Sequence, residues 1–154
     1  MAAVVSGARR RAVRDGDRHV DTAHLLHSLV ESDPQVREAF DGGPQLARVL
    51  GYLVQRSIGY GLRWQGAQEG AGALPAGRGP GAEGLSPTAA VALECAARAA
   101  VRRGEPCADG LDLLAELVAD PRCRAVEVLE RAGVVTARLA ARATHRQEVA
   151  DARG

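Results

Sequence analysis

Three histidines near the amino terminus, His19, His24 and His27, stand in an H-x4-H-x2-H pattern. His24 and His27, at i and i+3, share a face if the stretch is helical, and two imidazoles so placed are able to hold a metal ion. A second copy of the stretch, described below, has Cys107, Asp112 and Ala115 at the matching positions, so no ligand set is repeated. The fold therefore needs no ligand set there, and neither a metal nor a cofactor is expected. Arg9, Arg10, Arg11, Arg14 and Arg18 form a local basic cluster. Such a cluster is suited to phosphate contacts. Interleaved Asp15, Asp17 and Asp21 dilute it and no aromatic platform accompanies it, so it reads as a solvated face, with an acidic protein surface the next reading and nucleic acid the last. The three cysteines, Cys95, Cys107 and Cys123, lack CxxC spacing and read as small buried apolar residues in a reducing compartment. There is no Gly-x-Ser-x-Gly motif and no cysteine with a convincing histidine partner in sequence. The expectation is a protein without catalytic activity.

The elements that position these residues come from a repeat. The stretch Thr22-Ala-His-Leu-Leu-His-Ser-Leu-Val-Glu31 returns as Gly110-Leu-Asp-Leu-Leu-Ala-Glu-Leu-Val-Ala119. Leu25, Leu26, Leu29 and Val30 match Leu113, Leu114, Leu117 and Val118, a spacing that puts all four on one face of a short helix. The match runs backwards without a gap: Ala8, Arg10, Ala12, Val13, Arg14, Gly16 and Asp21 equal Ala96, Arg98, Ala100, Val101, Arg102, Gly104 and Asp109. This is an internal duplication. With 46% hydrophobic residues but only 3% aromatic ones, the core has to be built of Leu, Val and Ala, which suits close-packed helices. A net charge of +1 implies neither a nucleic-acid nor an acidic-membrane partner. No signal-peptide segment opens the chain and no apolar run approaches the ~20 residues of a membrane span, so a cytoplasmic, soluble protein is expected.

Each copy predicts four helices. The first covers residues 2–15, with Val5, Ala8 and Ala12 on one face and Gly16 ending it; Leu93, Ala96 and Ala100 repeat the pattern before Gly104. Asp21 and Asp109 precede the Leu-rich helices, where either Asp, or Thr22 beside the first, is placed to cap. Asp33-Pro34 and Asp120-Pro121 both read as a cap followed by proline at the first helical position, with Phe40 and Leu129 closing the apolar faces. Gly42-Gly43-Pro44 begins a fourth helix carrying Leu46, Val49, Leu50 and Leu53; after Gly133 its counterpart runs from Val135 to about Ala150, with a polar end from Thr144 that frays. Residues 58–84, dense in glycine, read as a flexible connection between a first repeat at 1–57 and a second at 85–154. Its start holds the single Trp: Ile58, Leu62 and Trp64 read as packing back on the helices, and Tyr60, Arg63 and Trp64 as candidate partner anchors.

Two copies of helix, glycine, short loop and "T-x-H-L-L-x-x-L" resemble the amino-terminal repeat domain of Clp-type AAA+ unfoldases. The family repeat, roughly G-H-x-x-(I/V)-G-T-E-H-(I/L)-L-L-G-L, stands here as Gly16-Asp-Arg-His-Val-Asp-Thr-Ala-His-Leu-Leu-His-Ser-Leu29. Leu85-Ser-Pro-Thr-Ala resembles the family's T-P-x-A start, and Val128-Leu-Glu-Arg-Ala-Gly-Val134 its V-L-x-x-L-G-V segment. The resemblance implies an all-α, eight-helix bundle of two pseudo-symmetric four-helix repeats, with His24 as a helix-start structural residue. It implies a docking module that receives adaptors and substrates of an unfoldase ring. The ATPase modules that follow in the family are not in this sequence: it has no GxxxxGK[ST] loop, and all 20 basic residues are arginine.

In relatives that recognise phosphorylated arginine, the Glu of T-E-H contacts the guanidinium. Here Ala23 and Leu111 occupy those places, so the pairing carboxylate is missing in both copies. The family's phosphate subsite lies at the start of each repeat's first helix, which Ser86, Pro87 and Thr88 retain in the second copy. The candidate binding residues are thus Ala23, Leu111, Ser86, Pro87, Thr88, Tyr60, Arg63 and Trp64. The expected function is a non-catalytic binding module of the Clp proteolysis system, an adaptor, decoy or accessory subunit whose partners are a Clp unfoldase, its protease, or their substrates and adaptors. Two alternatives are a protein that sequesters a peptide-like small molecule, as cyclic-peptide antibiotics target domains of this type, and a nucleic-acid-associated regulator.

Overall fold

The computed structural model describes residues 1–57, 68–71 and 83–153. These form eight helices: α1 Ala2–Asp15, α2 Thr22–Ser32, α3 Pro34–Glu38, α4 Gly43–Ser57, α5 Pro87–Arg103, α6 Gly110–Ala119, α7 Arg124–Arg131 and α8 Thr136–Asp151. No strand occurs among the described residues; a single parallel bridge pairs Val20 with Leu85. The protein is all-α, as composition and periodicity predict. No described helix is long and apolar enough to cross a membrane.

The local reasons for these boundaries are readable in the chain. α1 ends because Gly16 takes a left-handed conformation (φ 75°), which lets the Asp17 amide reach back to the Ala12 carbonyl at 2.9 Å. α5 ends in the same way at Gly104 (φ 83°), with the Glu105 amide on Ala100 O at 3.0 Å. Asp21 and Asp109 cap α2 and α6. Each accepts the backbone N–H of the third helical residue, and that residue's side chain accepts the cap's own N–H in return.

The core sits around α2 and α6. Every residue from Thr22 to Val30 is buried, and so are Gly110 to Leu114, Leu117 and Val118. α1 packs on α2, α5 and α8 on α6, and α7 crosses to α2 and α4, so one core is shared by both ends of the chain. Val4, Ala8 and Ala12 turn inward from α1, and Ala89, Ala92, Ala96 and Ala100 from α5. Small residues let these helices approach closely.

Several expectations are corrected. α7 starts at Arg124 rather than at Asp120-Pro121; Cys123 is its N-cap, its sulfur accepting the Val126 amide at 3.4 Å. α8 continues to Asp151 instead of fraying from Thr144. Of the cysteines, Cys123 alone is buried; Cys107 is exposed in the α5–α6 loop and Cys95 is half-buried on α5. The glycine-rich connection is not a plain tether, because Glu69 within it is buried.

Candidate functional site

The polar centre of the molecule is where three helix starts meet. Glu69 places one carboxylate among the beginnings of α2, α5 and α7. It accepts from the Thr22 amide at 2.9 Å, the Thr22 hydroxyl at 2.5 Å, the Ser86 hydroxyl at 3.0 Å and the Arg124 amide at 2.7 Å. The first amides of a helix have no intrahelical acceptor, and aligned peptide dipoles favour an anion there. Thr22 Oγ1 in turn accepts the Ala125 amide at 3.0 Å, and Ser86 Oγ accepts the Ala89 amide at 3.1 Å, so the junction is satisfied on both sides. The Val20–Leu85 bridge holds the two entering strands of chain together, with the Val20 amide on Gly84 O at 2.7 Å and the Ser86 amide on Val20 O at 2.8 Å.

Asp21 forms the neighbouring anionic centre. Its Oδ1 accepts the His24 amide at 2.9 Å, and Oδ2 pairs with Arg56 and with Arg124 Nη1 at 2.9 Å. Burial alone raises this carboxyl, but hydrogen bonding with His24 and the charge of Arg56 outweigh it and hold Asp21 well below the usual carboxylate range. Two carboxylates therefore join α2, α4, α5 and α7.

His24 is buried beside Asp21. Its Nδ1 lies 3.0 Å from both the Asp21 backbone nitrogen and Asp21 Oδ1. Its Nε2 faces Asp17 Oδ2 at 3.0 Å and Asp15 Oδ2 at 3.6 Å, yet is buried without a hydrogen-bond partner. His27 points elsewhere, between Arg11 and Glu31, with Nε2 3.1 Å from Glu31 Oε1. The H-x4-H-x2-H pattern is thus split. Burial, and then the positive Arg11, push the His27 pKa down to about 4.

The corresponding place on α6 is built from other residues. Asp112 accepts the Asp109 amide at 2.9 Å and pairs with Arg103 through two contacts of 2.5 and 2.9 Å. Desolvation, ahead of the nearby Asp112 charge, raises the Asp109 carboxyl.

The sequence-predicted binding residues are not brought into one open groove. Ala23 and Leu111 are 0% and 2% exposed, pointing into the core, so any ligand contact at either requires the helices to part. Ser86 is 0% exposed and committed to Glu69 and Ala89, while Pro87 and Thr88 are half-buried beside it. Tyr60, Arg63 and Trp64 lie outside the described residues. Sequence reasoning missed Glu69, Asp15 and Arg124. An acidic residue within a glycine-rich stretch was the one available signal for Glu69.

A surface cavity of about 560 Å³ opens between the α3–α4 turn and α8, lined by Phe40, Asp41, Arg138, Arg142 and His145 among others. Arg142 leads Arg138 in holding the Asp41 carboxyl below its usual range, the closer contact being 2.5 Å. Cys123, the buried thiol, donates to Leu117 O at 3.1 Å and is pushed above its ordinary pKa by burial, which keeps it a thiol rather than a nucleophilic thiolate. No family model matches this chain, and no curated protein matches it.

Proposed function

We propose that the protein is a non-catalytic protein-binding module of the Clp proteolysis system, built from two pseudo-symmetric four-helix repeats of the Clp amino-terminal type. The observation that carries this reading is a reciprocal exchange between the halves. Arg48 on α4 donates to the carbonyl of Ala132, the C-cap of α7, at 3.1 Å. Arg142 on α8 donates to the carbonyl of Ala39, the C-cap of α3, at 3.3 Å. Each half thus lends an arginine from its last helix to the short third helix of the other. Two like units related by a twofold contact one another in this way. The paired glycine stops and the two reciprocal aspartate caps support the same reading.

A bundle of this kind offers surface rather than chemistry. Glu69 and Asp21 tie its helix starts together, and its role is to present an outer face to a Clp unfoldase, its protease, or their substrates and adaptors. The test is a reconstituted Clp unfoldase–protease degrading an unfolded reporter. Adding the purified chain is expected to change the degradation rate saturably, in either direction. A rate unchanged at saturating chain contradicts the proposal.

A second reading, sequestration of a peptide-like small molecule, is favoured by the 560 Å³ cavity, whose size lies within the range of ligand pockets. Thermal-shift screening with cyclic peptides tests it, and absence of any stabilisation retires it. The nucleic-acid reading is weakened by Arg11, which pairs with Glu31, and by Arg14, which lies 3.7 Å from Asp15.

A further inference from the structure

We propose that Asp15, Asp17 and His24 form a site for a divalent transition-metal ion, with zinc as its representative. One ligand atom from each lies within 4.8 Å of the others. An acidic cluster alone means little, but here a buried imidazole nitrogen, Nε2, is aimed between the two carboxylates and lacks a hydrogen-bond partner. Zinc–ligand bonds of about 2.0–2.2 Å in tetrahedral geometry separate neighbouring donor atoms by about 3.3 Å. The two observed separations, 3.0 Å to Asp17 and 3.6 Å to Asp15, bracket that edge. One imidazole with two carboxylates is a donor set for a borderline ion, and the imidazole disfavours calcium and magnesium.

The surroundings fit such an ion. The Asp15 side chain is only 7% exposed, and its Oδ2 accepts one hydrogen bond, from Ser57 Oγ at 3.2 Å. Arg14 lies 3.7 Å from its other oxygen. Arg56 touches Asp17 at 3.5 Å but sits closer to Asp21. The place on α6 shows what this one lacks. There the residue ending the preceding helix is Arg103, whose guanidinium supplies the cation beside Asp112. At α2 that residue is Asp15, so two carboxylates and a ring nitrogen converge where the other half places a guanidinium.

The Asp21 carboxylate completes the arrangement. Without metal, the Asp21 amide donates to Nδ1 and the ring proton sits on Nε2. With metal, that proton moves to Nδ1, where Asp21 Oδ1, 3.0 Å away, accepts it. The Asp21 amide loses its acceptor, which weakens binding by roughly 5- to 150-fold.

The experiment is zinc titration of the EDTA-treated full chain by calorimetry, with thermal unfolding in parallel. Asp17 stands on an exposed turn, so Asp17→Asn keeps the fold, as its circular dichroism will report. The expected result is one zinc per chain with micromolar Kd, a rise in Tm, and binding at least 10-fold weaker in both Asp17→Asn and Asp15→Asn. Cobalt(II) in place of zinc is expected to give the intense d–d absorption of a tetrahedral site, lost in the same variants. Absence of zinc binding at about 100 μM overturns the proposal. So does binding undiminished in Asp17→Asn, which assigns the zinc to exposed groups such as His145 or Cys107.

Discussion

The starts of α2 and α6 share an architecture and reverse its charge. Both follow a left-handed glycine, both are capped by aspartate, and in both the third helical residue returns a hydrogen bond to the cap. On α6 that residue is an acid held by the arginine that ends α5; on α2 it is a histidine faced by the aspartate that ends α1. The backbone geometry is set by Gly, Asp and the leucine stripe, and it tolerates either polarity. What the pair of side chains does chemically is free to differ. The α6 version is a closed ion pair, whereas the α2 version sets two carboxylates around a ring nitrogen.

A second difference concerns the first residue of each helix. Thr22 fills its place with a hydroxyl that serves Glu69 and Ala125. Gly110 leaves its place empty for Asp33, the N-cap of α3, whose carboxylate lies where a Cβ would be. One half therefore recruits a carboxylate from the connecting segment, and the other borrows one from the first half.

Removing Glu69 is the largest expected break. Glu69→Ala leaves two helix-start amides and two buried hydroxyls without their acceptor, at a cost of about 3–5 kcal/mol, read as a lower denaturation midpoint. No equivalent loss is expected from Glu83→Ala in the same glycine-rich stretch, whose side chain is exposed. The charge reversal is sharpened by Asp112→Asn, which takes the carboxylate charge from beside the partly buried Arg103 and costs about 2 kcal/mol. At α2, Asp15→Asn, measured with chelator present, costs under about 1 kcal/mol because it removes a buried charge with little to hold it. Gly110→Ala drives a methyl group into Asp33 and costs about 1–2 kcal/mol, while Thr22→Ser, which keeps the hydroxyl, stays below that.

The histidines separate α2 from α6 by pH, since α6 has none. His27 in the folded chain titrates near pH 4, below the 6.5 of the unfolded chain. Between these values the unfolded state binds the proton and the native state does not. Stability from this group is therefore full above pH 6.5, falls as the pH drops toward 4, and is level below that. His27→Gln is expected to flatten this interval in a denaturation series. The smallest effect is at the reciprocal arginines: Arg48→Met and Arg142→Met are expected to cost about 0.5 kcal/mol each, being partly exposed, and to add in the double variant.

The helices were legible in the sequence because their signals are local. The leucine stripe, Gly16 and Gly104, and the aspartate caps each act within one or two turns. Asp120-Pro121 misled because the local cap-then-proline pattern competes there with Cys123, which the fold draws under α6 to reach Leu117 O. The polar centre was not legible. Glu69 meets Thr22 and Arg124 across long stretches of chain, and an acid among glycines carries no periodicity. Asp15 stood at a helix end as one member of a mixed-charge run, and its approach to His24 depends on the turn at Gly16. Ala23 and Leu111 were identified by their place in a motif, which says nothing of which way a side chain points; both point inward.

The reading as a Clp-associated binding module is tested most directly by affinity capture. The full chain, immobilised, is exposed to extract of its own source cells and the bound proteins are identified by mass spectrometry, with an unrelated helical domain as control bait. Specific recovery of a Clp unfoldase or of the Clp protease is the expected result. Recovery of neither, from an extract in which both are abundant, contradicts it.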